Sequence, residues 1–180
     1  MVFNLIVLYT GRRGSGKTLT MVKDILKFKE AGWTIYSNIE IKGVDTQTLE
    51  TEDIINFDKK SEMKNCVFVI DEIQVLFDSR RSTSKTNTDF SNFIQQIRKR
   101  GIILLATTQF AGTTDLRIRQ HTDIIVRPRY NKKYFLVDVI YFDITASEDS
   151  FMLDEMPFNR RLVFDARTIF NLYDTNKTIT

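Results

Sequence analysis

Phe3 to Tyr9 (interrupted only by Asn4), Cys66 to Ile70 and Ile102 to Ala106 are apolar runs that each end in polar residues. Runs of that length without alternation predict strands buried on both faces, as in a parallel sheet covered by helices. Leu19, Met21, Val22, Ile25, Leu26 and Phe28 follow the first run at helical spacing. Phe90, Phe93, Ile94 and Ile97 precede the third run at i, i+3, i+4 and i+7, predicting a helix from Thr88 to Arg100 with Thr86, Asn87 or Thr88 as its cap. Ala31-Gly32 and Gly101 are stop signals for the two helices. Strand alternating with helix predicts an α/β fold.

The remaining pattern fills in around that frame. Trp33 to Tyr36 predicts a second strand, with Ile39 to Gly43 its extension or a short neighbour. Thr46 to Phe57 is polar with Leu49, Ile54 and Ile55, and predicts a short helix over the sheet. Thr113 to Thr122 predicts a turn or short helix. Asp123 to Tyr130 and Tyr134 to Asp143, joined by Asn131-Lys132-Lys133, predict an antiparallel hairpin appended to the sheet. Ala166 to Tyr173 predicts a helix. The expected architecture is a single domain with a mainly parallel five-stranded core over residues 1–130. A C-terminal hairpin and helix extend it over 131–180.

Composition narrows the class. A chain of 180 residues with 42% hydrophobic and 27% charged residues has the length and make-up of one soluble globular domain. A net charge of +3 permits a polyanionic partner without demanding one, so the placement of the basic residues matters more. Cys66 is the only cysteine, which excludes an internal disulfide and suits a reducing compartment. His121 is the only histidine; it removes any histidine-based triad or His-rich metal site and is expected to be a polar surface residue. The N-terminal run lacks a basic leader region and reads as a strand, not a signal peptide. No apolar run approaches the ~20 residues of a membrane-crossing helix, so no membrane insertion is expected.

The chemistry begins immediately after the first run. Gly11-Arg12-Arg13-Gly14-Ser15-Gly16-Lys17-Thr18 fits G-x-x-x-x-G-K-[ST], between a predicted strand and a predicted helix. Its glycines let the backbone turn N–H groups inward around phosphates, and the helix N-terminus adds partial positive charge. In this pattern Lys17 bridges β- and γ-phosphate oxygens and the Thr18 hydroxyl holds Mg²⁺. A dinucleotide fingerprint fits less well, because the glycines fall as G-x-x-G-x-G and Leu19 stands where a third small residue is needed.

Val67-Phe68-Val69-Ile70-Asp71-Glu72 ends a buried strand in two acids. Asp71 is placed to accept hydrogen bonds from Mg²⁺-bound water, and Glu72 to orient or deprotonate an attacking water. Gln109, at the end of the third run, is expected at the same sheet edge, where a neutral amide contacts the γ-phosphate and the water. Arg80, Arg81 and Lys85 stand in a polar, hydroxyl-rich stretch that reads either as a surface loop or as a grip on nucleic-acid phosphates. Arg98, Lys99 and Arg100 fall in a last helical turn, where positive charge offsets the helix dipole.

Five strand candidates, with the phosphate loop after the first, Asp-Glu after the third and Gln after the fourth, resemble an additional-strand, catalytic-glutamate P-loop ATPase. Within that class the chain resembles the HerA/FtsK superfamily, and within it the viral genome-packaging ATPases and the Zot-type phage proteins. Gly11–Thr18 and Val69-Ile70-Asp71-Glu72 carry the class. Tyr36-Ser37-Asn38-Ile39, Arg98-Lys99-Arg100-Gly101-Ile102, Thr107-Thr108-Gln109, Asp115-Leu116-Arg117-Ile118-Arg119 and Tyr173-Asp174-Thr175 carry the subgroup.

The resemblance implies a three-layer P-loop NTPase fold, ATP as substrate with Mg²⁺, and a ring of identical subunits, pentamer or hexamer. It implies movement of double-stranded DNA through a central pore, with a capsid or portal protein as a further partner. The setting it implies is the host-cell cytoplasm or a packaging vertex of the virion. In such rings an arginine from the next subunit reaches the γ-phosphate, worth on the order of 10³–10⁵ in rate. Arg98 and Arg100 are its first candidates, Arg117 and Arg119 its second. Zot-type proteins continue into a membrane-spanning segment and a further domain, so the shorter chain is expected to be the soluble packaging motor. A Zot-like phage assembly or extrusion ATPase is the alternative, and a nucleotide-gated adaptor without motor activity the third reading. A kinase would not need Glu72 beside Asp71, and a signalling GTPase would need an N-K-x-D guanine reader that Asn176-Lys177-Thr178-Ile179 does not supply.

Overall fold

The computed structural model describes residues 4–76, 84–109, 120–144 and 160–173. In chain order its elements are β1 (Ile6–Thr10), α1 (Lys17–Glu30), β2 (Ile35–Ser37), β3 (Thr46–Thr48), α2 (Thr51–Ile55) and β4 (Val67–Ile70). Then come α3 (Ile73–Leu76), α4 (Ser84–Lys99), β5 (Ile103–Thr108), β6 (Ile124–Asn131), β7 (Leu136–Asp143) and β8 (Arg160–Asp165). The strands form one eight-stranded sheet in the order β3-β2-β4-β5-β1-β6-β7-β8. From β3 to β6 every pairing is parallel, and β7 and β8 are antiparallel. The expected five-stranded core is present as β2-β4-β5-β1-β6. In it β5 is the additional strand inserted between the phosphate-loop strand β1 and the Asp-Glu strand β4.

Every residue of β1, β4 and β5 is buried, as their unbroken apolar runs require. Their side chains alternate between two cores. Ile6, Leu8, Phe68, Ile70, Leu104 and Ala106 pack with Phe93, Ile94 and Ile97 of α4 and with Ile54 and Phe57. Val7, Tyr9, Val67, Val69, Ile103 and Leu105 pack with Leu19, Met21, Val22 and Ile25 of α1 and with Ala166 and Ile169. Helices on both faces make the three layers. Gly32 and Gly101 take φ of 76° and 65° just past α1 and α4, so both helices stop where their glycines indicate.

Hydrogen bonds fix the hairpin to the helix that follows the phosphate loop. The Tyr9 and Tyr141 hydroxyls both donate to Asp24 Oδ2 of α1, at 2.9 and 3.0 Å, and Lys27 Nζ donates to Oδ1 at 2.7 Å. Three elements, β1, α1 and β7, thereby share one buried carboxylate.

The structure corrects the sequence reading at the edges of the sheet. Thr46–Thr48 is a strand pairing with β2, and the helix expected from Thr46 to Phe57 is reduced to α2 and a single 3₁₀ turn at Phe57–Lys59. Glu50 and Asp53 form a capping box there, which fixes the start of α2 five residues after β3 begins. Ile39 to Gly43 makes no ladder; Ile41 instead bridges Tyr173. The helix expected from Ala166 to Tyr173 is instead two 3₁₀ turns, Ala166–Thr168 and Phe170–Leu172, preceded by β8. Helix α4 begins at Ser84, so Thr86, Asn87 and Thr88 lie inside it and do not cap it. Among the described residues no helix is long and apolar enough to cross a membrane.

Candidate active site

Because β1, β4 and β5 are parallel, the residues that follow them emerge on one rim of the sheet, and the phosphate loop is the first of these segments. Gly11, Gly14 and Gly16 take φ of 147°, 77° and 95°. A Cβ at Gly11 would lie 2.8 Å from Ser15 Oγ, so the loop closes on itself only with hydrogen there. Two features leave it open to an anion. No side chain caps the N-terminus of α1 and no acid stands in its first turn. The buried Ser15 hydroxyl has no partner among the described residues. Both fit a phosphate as the missing acceptor.

Lys17 is the first residue of α1 and is only 6% exposed. Its Nζ donates to the Arg12 carbonyl at 3.3 Å. Burial lowers its pKa, and the nearby Glu72 and Asp71 carboxylates pull it back up. An ammonium held this way is short of partners, and a polyphosphate would relieve that.

Asp71 follows β4 and is gripped from three directions. Thr18 Oγ1 and Thr107 Oγ1 donate to its Oδ1 at 3.0 and 2.7 Å. Asn38, at the end of β2, brackets its peptide: Asp71 N–H donates to Asn38 Oδ1 at 2.8 Å, and Asn38 Nδ2 donates to the Asp71 carbonyl at 3.0 Å. Burial raises the Asp71 pKa, against the lowering effect of the two hydroxyl donors. Glu72 sits in the left-handed region at φ 57°, a conformation that costs roughly 1–2 kcal/mol for a residue with a Cβ. Its N–H donates to Thr107 Oγ1 at 2.8 Å, which holds the kink. Its carboxylate meets Gln109, whose Nε2 donates to Oε1 and Oε2 at 3.2 and 3.1 Å. Gln74 Nε2 is a further donor to Glu72 Oε2. Lys17, Thr18, Asp71, Glu72 and Gln109 therefore meet at one rim.

The donors suit Mg²⁺. The Thr18 hydroxyl and the Asp71 carboxylate are hard oxygen groups already in contact with each other. Among the described residues no group of three or more His, Cys, Asp or Glu forms an all-protein metal cage. That matches an ion carried by substrate phosphates and water, with one carboxylate and one hydroxyl from the chain. When bound, the ion would neutralise phosphate charge.

Sequence reasoning gave no role to Thr107, Asn38 or Gln74. Thr107 is fully buried in a strand, and only its alignment with β4 reveals that its hydroxyl serves both acids. Asn38 and Thr107 stood in motifs of the resemblance, and Gln74 in none.

The arginines lie elsewhere. Arg98 is at the opposite end of the sheet, where Nη2 donates to the His121 carbonyl at 2.8 Å and to Asp123 Oδ1 at 2.9 Å. Arg100 donates to the carbonyls of Lys60 and Asp58 and to Gln96 Oε1, and its guanidinium lies 4.5 Å from the Phe57 ring centroid. Neither reaches the nucleotide rim of its own chain. Arg80, Arg81, Arg117 and Arg119 lie outside the described residues, as does the side chain of Lys85.

Comparison with known proteins agrees with this geometry. The family model for zonular occludens toxin (Zot) matches residues 5–174. The N-terminal domain of zonular occludens toxin from Neisseria meningitidis superposes with a TM-score of 0.66 at 20% identity, covering 94% of this chain and 98% of that one. The DNA-packaging ATPase B204 of Sulfolobus turreted icosahedral virus superposes at 0.61 and 15% identity, covering 89% and 98%. A KaiC-like protein from the hyperthermophilic archaeon Pyrococcus horikoshii superposes at 0.55 and 14% identity, covering 88% and 84%. At these identities the likeness establishes the fold, that of the P-loop NTPases. No curated protein matches the chain.

Proposed function

The chain belongs to the Zot family, and on that footing we propose that it is an ATP-hydrolysing motor that moves double-stranded DNA. The observation that carries the enzymatic part is the meeting of Lys17, Thr18, Asp71, Glu72 and Gln109 at one rim. Lys17, the open α1 N-terminus and the Ser15 hydroxyl bind and orient the phosphates. Thr18 and Asp71 hold Mg²⁺. Glu72 takes the proton of the attacking water, and Gln109 orients that water and registers the loss of the γ-phosphate. The Gln74 and Gln109 amides keep the carboxylate aimed until a water replaces them.

Motor action on DNA draws its support from the DNA-packaging role of a protein with a similar fold and from the basic stretch Arg80, Arg81 and Lys85. Membership of the Zot family favours phage assembly or extrusion over packaging into a capsid. A ring of subunits, with an arginine given in trans from Arg98, Arg100, Arg117 or Arg119, completes the reading. The test is ATPase rate with and without duplex DNA across a salt series, together with oligomer mass. A phosphate-tracking motor is stimulated by duplex, and the stimulation fades as salt rises. Turnover indifferent to DNA at every salt concentration, from a monomer, would replace the motor with the nucleotide-gated adaptor.

A further inference from the structure

We propose that Tyr130 and Phe170 form an aromatic platform on which the nucleotide's purine ring stacks; this rests on the nucleotide-binding reading above. Two segments far apart in sequence meet beside the phosphate loop. The first contact is at Gly16, where a Cβ would lie 3.3 Å from Val137 Cγ1 and 3.4 Å from Tyr130 Cβ. The hairpin of β6 and β7 is thus seated directly against the last glycine of the loop, and Tyr130 is the aromatic residue at that seat. Its ring meets Phe170 edge-on at 6.0 Å, and Phe170 meets Phe135 in the same way at 6.4 Å.

Ile41 bridges Tyr173, and Lys42 N–H donates to the Leu172 carbonyl at 2.6 Å, which ties the residues after Phe170 to the segment following β2. Phe170 keeps 38% of its surface exposed, and Tyr130 is half-buried, so ring area remains for a ligand.

Sheet order gives the direction. Asp71, Glu72 and Gln109, which face the γ-phosphate, follow β4 and β5 on one side of β1, whereas Tyr130 ends β6 on the other. A triphosphate lying across the loop with its γ end at the acids has its nucleoside end toward the hairpin. Stacking on ring faces carries no donor–acceptor code. Purines are therefore preferred over pyrimidines by contact area, while ATP and GTP are held alike.

The experiment compares dissociation constants of ATP, GTP, CTP and inorganic tripolyphosphate, each with Mg²⁺, for the unaltered chain and for Tyr130→Leu, Phe170→Leu, Tyr130→Phe and Lys17→Ala. The unaltered chain should bind ATP and GTP more tightly than CTP, and CTP more tightly than tripolyphosphate. Each leucine variant should lose about 5- to 150-fold in ATP affinity while keeping that for tripolyphosphate. Tyr130→Phe should retain ATP affinity, and Lys17→Ala should weaken all four ligands. ATP and tripolyphosphate bound equally by the unaltered chain would overturn the platform and leave the phosphate site standing. So would leucine variants that lose both ligands in equal measure or neither. No binding of any of the four would overturn the nucleotide reading itself, and the platform with it.

Discussion

At the C-terminal end of β1, the Thr18 and Thr107 hydroxyls converge on Asp71 and the Gln109 amide on Glu72, all through side chains. At its N-terminal end, Asp123 Oδ2 accepts the Ile6 N–H at 2.7 Å, while Arg98 joins Asp123 Oδ1 to the His121 carbonyl. Arg100 is likewise spent on the carbonyls of Lys60 and Asp58. Both ends satisfy buried polar groups, as any fold must. They differ in what an incoming ligand could replace. The bonds from Thr18 to Asp71 and from Gln109 to Glu72 join side chain to side chain, and can be handed to a phosphate, a cation or a water. Side chains bonded to strand backbone cannot be released without loosening the sheet.

Breaking each end should therefore fail differently. The largest effect is expected for Glu72→Gln, which keeps the side chain's shape but removes the carboxylate proposed as the base. Turnover should fall about 10²- to 10⁴-fold with nucleotide affinity retained, as steady-state kinetics and equilibrium binding would read. Unchanged turnover would place the base elsewhere.

Next comes Arg98→Ala at the opposite end. Loss of a half-buried ion pair and a backbone contact should cost roughly 1–3 kcal/mol, lowering Tm by several degrees in a chain of this size. If Arg98→Ala instead keeps its Tm and loses turnover, and mixing with Glu72→Gln subunits restores activity, the arginine acts in trans and the contrast between the two ends narrows.

The smallest effect is a gain. Burial raises the Asp71 pKa, so the folded chain keeps that proton at a pH where the unfolded chain has released it. Between the two pKa values stability falls as pH rises, and above the higher one the deficit is constant. Asp71→Asn removes the deficit while both hydroxyl donors still find an acceptor. In thermal melts without nucleotide the variant should be slightly more stable than the parent at neutral pH. It should also lack the decline that begins above about pH 4. A variant less stable than the parent at neutral pH would mean that the carboxylate's contacts outweigh its desolvation.

The two ends also differed in how readily the chain disclosed them. The nucleotide rim was legible because parallel strands end on the same side: once three apolar runs were placed, Lys17, Asp71, Glu72 and Gln109 had to share an edge. Arg98 and Arg100 were ambiguous because a basic residue in a last helical turn looks the same whether it serves the helix dipole, a carbonyl across the sheet or a neighbouring subunit. Asp123 and His121, which hold Arg98, lie more than twenty residues away. Thr46–Thr48 and Arg160–Asp165 are edge strands whose identity comes from pairing with β2 and β7, not from their own apolar content.

Thr107 has one hydroxyl proton, and its bonds leave no freedom in how that proton is used. Since Oγ1 receives from the Glu72 N–H, it must give to Asp71. Asp71 and Glu72 are thus both positioned from a single atom on a central strand. Their spacing is a dimension of the sheet, set by the register of β4 against β5 and not by the loops that surround it.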